Sequence, residues 1–67
     1  MSYTVQAVIN RADKKAKTFK DYSAALRFIQ KILDQHRLQV RTIIERDSVE
    51  EYVCDDHASR IIVSAVR

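Results

Sequence analysis

The sequence predicts an α+β fold: one amphipathic helix packed on an antiparallel sheet of four to five strands, in the order β-(β)-α-β-β-β. Three observations predict it. One central stretch has apolar residues at helical spacing, and the segments on either side alternate with a period of two. The links between the later segments are also too short for parallel crossovers, so those strands must pair as hairpins.

Residues 3–10 alternate, with Tyr3, Val5, Ala7 and Ile9 on one side and Thr4, Gln6, Val8 and Asn10 on the other, which is the pattern of a half-buried strand. Residues 10–15 form a polar turn in which Asp13 can bond its own backbone, and Ala16-Lys17 is a candidate short second strand. Thr18 opens the helix in this reading. Thr18-Phe19-Lys20-Asp21 fits a capping box with Asp at its last position. Tyr22, Ala25, Leu26, Ile29, Ile32 and Leu33 make the apolar stripe, widened by Phe19 and Phe28, and the helix is expected to end near Gln35 or His36. Strands then follow over residues 38–46, 49–54 and 60–66, broken at Asp47-Ser48 and at residues 55–58 by Asp and Ser chemistry.

The chain has no glycine and no proline. It therefore carries no P-loop, no dinucleotide-binding glycine turn, no G-x-S-x-G elbow, no GXXG clamp and no EF-hand loop, because each needs a backbone that only glycine adopts freely. Sixty-seven residues fit a single domain over 1–67, with one core. Cys54 is the only cysteine, so no disulfide can form within the chain, and a reducing compartment is expected. No apolar run approaches the ~20 residues that cross a bilayer. No secretory signal is visible either, which makes the cytoplasm the expected location and leaves no role for a membrane.

Charge is unevenly placed. Residues 11–41 hold nine basic side chains and three acids, whereas residues 42–67 hold six acids and three arginines. Lys14, Lys15, Lys17 and Lys20 gather before the helix, and Arg27 and Lys31 are i,i+4 neighbours on it. These six could track phosphates and define the alternative function, a basic nucleic-acid-binding accessory protein. The signs of base recognition are missing: there is no stacking signature, no tryptophan and no second helix for a helix-turn-helix.

Cys54-Asp55-Asp56-His57 is the only cluster of reactive residue types. Two ligands at that spacing fall short of the four that structural zinc takes, and the cluster reads as a strand end followed by a polar turn. Glu50 and Glu51 point to opposite sides of a strand, and Asp55-Asp56 lie in a solvated turn, so neither pair is set up for acid–base work. No metal, cofactor or enzyme activity is expected.

The helix must bury one sheet face, for which Leu38, Val40, Ile44, Ile61, Val63, Ala65, Val5, Ala7 and Ile9 are the candidates. The other face is then expected to carry Val8, Ile43, Tyr52, Ile62 and Val66 among Gln6, Arg41, Glu45 and Ser64. Five apolar side chains on an open face are enough to suggest a contact surface. Val8, Arg41, Ile43, Tyr52, Ile62 and Val66 are accordingly the candidate interface residues, with Tyr52 as the anchor. The expected function is that of a small non-catalytic module working by protein–protein contact. By analogy of size and style it resembles a freestanding inhibitor or adaptor, such as a viral or mobile-element blocker of a host defence complex. A homodimer using the second face as shared core is the third reading.

Overall fold

In a computed structural model, which describes residues 1–66, the chain runs β1 (Ser2–Ile9), β2 (Ala12–Asp13), β3 (Lys17–Phe19), α1 (Tyr22–His36), β4 (Val40–Arg46), β5 (Val49–Cys54) and β6 (Arg60–Val66). One antiparallel sheet has the order β2-β1-β6-β5-β4, and β3 also pairs with β1. The predicted α+β architecture is thus present. Two short strands, and not one, precede the helix: β2 and β3 are pieces of a single edge interrupted at residues 14–16.

Direct pairing defines two faces, because residues opposite each other in a ladder share a side. Toward the helix run the rows Ile43–Tyr52–Ile61–Ala7 and Glu45–Glu50–Val63–Val5–Lys17. Away from it run Ile44–Glu51–Ile62–Gln6 and Thr42–Val53–Arg60–Val8. The helix buries Ala25, Ile29 and Leu33 against Val5, Ala7, Ile9, Ile61 and Val63, with Tyr52 and Cys54 completing the core. Its packing partners are β1 and β3, so it lies over one half of the sheet.

Two expectations about faces are corrected. The β4–β5 register slips between Val40 and Thr42, and this bulge at Arg41 reverses every later side chain of β4. Ile43, expected outward, faces the helix side, and Ile44, expected in the core, lies on the outer face. Tyr52, the expected interface anchor, is 9% exposed and belongs to the core. It alternates inward with Glu50 and Cys54, and it stands opposite Ile61, which is fully buried.

The helix also starts later than its sequence pattern suggests. Lys17, Thr18 and Phe19 pair with Val5, Thr4 and Tyr3, and the Thr18 and Thr4 hydroxyls lie 3.2 Å apart. Ladder bonds and a β-branched pair therefore outcompete the capping box. Asp21 becomes the N-cap, in extended conformation and without a side-chain capping bond.

Five residues with φ between 50° and 67° take positions that favour glycine: Asn10, Arg11, Arg37, Asp47 and His57. Asn10 and Arg11 both sit there between the paired residues Ile9 and Ala12, as a type I′ turn requires. Arg37 closes α1 in a Schellman arrangement. Its N–H bonds the Asp34 carbonyl, and the Leu38 N–H bonds that of Leu33 at 2.8 Å.

Candidate functional site

The two edges of the sheet are built differently. The β2/β3 edge is broken and carries Lys14, Lys15 and Lys17, devices that discourage strand pairing. The β4 edge is a seven-residue strand, regular from Thr42 to Arg46 after its one bulge at Arg41, in which every residue after Val40 is exposed.

Backbone direction along β4 follows from bonds on the far side of β5. Cys54 N–H bonds the Ser59 carbonyl at 3.1 Å, and Ala65 N–H bonds the Ser48 carbonyl at 2.8 Å. In an antiparallel ladder these bonds flank the pairs Val53–Arg60 and Val49–Ser64, so Val49, Glu51 and Val53 turn their own polar groups toward β4. Their partners Arg46, Ile44 and Thr42 turn toward β5 in return. Ile43 and Glu45 are left with N–H and C=O aimed away from the sheet. An incoming strand would bond there.

Side chains around this edge divide by face. On the helix side Ile43 is 50% exposed, because α1 stops short of it. Tyr22 and Leu26 lie on the flank of α1 opposite Phe28 and Ile32, and both are exposed. Below them a groove of about 360 Å³ is lined by Tyr3, Tyr22, Glu45, Asp47, Glu50 and Val63, among others. The Tyr3 and Tyr22 rings pack with centroids 5.3 Å apart. The Tyr22 hydroxyl donates to Glu50 Oε1 at 2.6 Å, and this bond, with burial and the nearby Tyr52 adding to it, raises the phenol above its ordinary range. Glu45 stands directly opposite Glu50, a like-charge pair that costs stability. Among the described residues neither has a cation within salt-bridge distance; the ion pair found there is Arg60 with Glu51, on the outer face.

Of the other predicted interface residues, Val8, Ile62 and Val66 lie on the outer face, with Val8 and Ile62 half-buried. That face is mixed: Ile62 sits between Gln6 and Glu51, and Arg60 separates Val8 from Val53. Arg41, at the bulge, reaches the His57 ring at 3.3 Å. The predicted basic group is only partly gathered. Lys17 Nζ is held over Phe28 (5.2 Å) and Phe19 (5.9 Å). Lys14 and Lys15 border one depression with Phe28 and Ile32, while Arg27 and Lys31 border another that also contains Asp34. Lys20 is exposed at the approach to α1.

Cys54 is fully buried, and desolvation first, then Asp56 and Asp55, raises its thiol. Asp56 organises the loop after it. Its carboxylate accepts the Ser59 hydroxyl at 2.7 Å and the N–H groups of Ser59 and Ala58, and the Ser59 bond leads in holding it below the usual carboxylate range. Among the described residues no three His, Cys, Asp or Glu side chains come together as a metal would need, and no helix is long and apolar enough to cross a membrane.

Reading residues singly overlooked Glu45, Glu50, Tyr22 and Leu26 as site residues. The signal was present: a two-residue turn at Asp47-Ser48 pairs Arg46 with Val49 and therefore Glu45 with Glu50. Compared with models of known families, with curated proteins and with solved structures, the chain matches none.

Proposed function

We propose that this protein is a non-catalytic binding module that works by protein–protein contact, with β4 and the trough between β4 and α1 as its contact surface. One observation carries the reading. The chain protects one sheet edge with a break and lysines, and from Thr42 to Arg46 it leaves the other regular, exposed and apolar at Ile43 and Ile44. An inhibitor or adaptor that occludes a partner's site is the form of function this surface suits best. The outer face is interleaved with Arg60, Glu51 and Gln6, and it supports contact less well than the edge does.

The test is a photo-reactive residue placed at position 43 or 44, with position 31 on the outer flank of α1 as control. Irradiation in the protein's native cell should yield protein adducts from 43 and 44, and far fewer from 31. Adducts to nucleic acid from 31, with none to protein from 43 or 44, would replace this reading with the basic-surface one.

A further inference from the structure

We infer that the occupant of the β4 edge is an extended, basic segment of a partner protein, which adds as a further strand and sets a lysine or arginine side chain across from Glu45. This rests on the reading of β4 as the contact surface and specifies what binds there.

Three features converge on it. Ile43 and Glu45 aim their backbone groups outward, so a strand bonding to them brings a side chain level with Glu45 on the helix side. At that level the side chain meets two carboxylates, Glu45 and Glu50, whose mutual repulsion a cation would relieve. The two carboxylates form the near rim of a groove whose far walls are Tyr3, Tyr22, Val63 and Ala65, so the charged head is met at that rim. Next to it, Ile43 would face an apolar residue two positions along the incoming strand.

A second copy pairing antiparallel through its own β4, centred on Ile43, would set Arg41 of each copy level with Glu45 of the other. The bulge, however, turns Arg41 to the outer face, toward His57, while Glu45 stands on the helix side.

The probe is a blocked peptide alternating valine and threonine with one central lysine, compared with peptides carrying glutamate or norleucine there. Titrations are followed by backbone amide shifts and amide exchange. The lysine peptide should slow exchange at Ile43 and Glu45 and bind about tenfold more tightly than the glutamate peptide, a preference that shrinks in high salt. Glu45→Lys, which also relieves the clash with Glu50 and so should fold, should reverse the order of the two. Equal binding of all three peptides at this edge would overturn the inference and leave the contact reading standing. Failure of every peptide to protect Ile43 and Glu45 would overturn both. Protection that grows with protein concentration alone, with a dimer in sedimentation, would make a second copy the occupant and overturn the basic-segment assignment.

Discussion

Ile43 and Tyr52 face each other across the β4–β5 ladder on the same side of the sheet, yet Tyr52 is 9% exposed and Ile43 50%. The boundary of the helix's cover runs between them. On one side the sheet is core; on the other it is a strand with one free edge and one free face. That boundary organises what the molecule can offer a partner.

The two residues should respond oppositely to truncation. Tyr52→Ala removes a core ring and should cost about 3–5 kcal/mol, as large aromatic deletions do. A single core of this size supplies only ~3–5 kcal/mol in total, so that variant should be largely unfolded. Ile43→Ala should shift stability by no more than about 0.5–1 kcal/mol. Urea unfolding followed by circular dichroism separates the two.

Backbone strain gives a second pair of outcomes. Arg37 ends α1 at φ 54°, ψ 44°, and Arg11 sits at φ 67° in the β1–β2 turn. A left-handed residue with a Cβ costs roughly 1–2 kcal/mol, partly offset when glycine loosens the unfolded chain. Arg37→Gly and Arg11→Gly should therefore each stabilise the fold by about 0.5–1 kcal/mol, read as a higher urea midpoint at unchanged slope.

Ser59 links two loops. It accepts the Asn10 N–H at 3.0 Å, donates to Asp56 and is 4% exposed. Ser59→Ala strands the Asn10 donor and should cost about 1–3 kcal/mol. Because the Asp56 carboxyl is held below its usual range, its contribution is present above the unfolded value of about 3.9 and is lost as pH falls through the lower folded one. Asp56→Asn should flatten that acid limb in a stability–pH profile.

The Tyr22–Glu50 bond gives the alkaline counterpart. A phenol raised in the folded state stabilises fully below the unfolded value of about 10, and that contribution fades as pH rises through the folded one. Tyr22→Phe should lose about 1 kcal/mol at neutral pH and show less alkaline loss than the parent. An unchanged alkaline limb would mean that the bond does not form in solution.

Much of this was legible in the sequence, and the failures have physical causes. Alternation in β1 and the stripe Ala25, Ile29, Leu33 gave strand and helix directly, because burial there follows one simple period. Thr18 misled because its capping signal competes with a pairing to Thr4 that lies 14 residues away and is invisible locally. Ile43 and Ile44 exchanged faces because one extra residue at Arg41 reverses the pleat, and adjacent isoleucines do not reveal which is inside. Tyr52 lies in a strand whose inward residues, Glu50, Tyr52 and Cys54, are no more apolar as a set than its outward ones, Val49, Glu51 and Val53. Its face is fixed by Ile61 across the ladder, not by its own neighbours.

Amide exchange along β4 of the isolated, dilute protein tests the central claim most directly. If β4 is a free edge in this register, Ile44 and Arg46, bonded to β5, should exchange about tenfold or more slowly than Ile43 and Glu45, which face solvent. Equal protection at all four would contradict the account, since it would mean that the edge is already covered or that the ladder is phased differently.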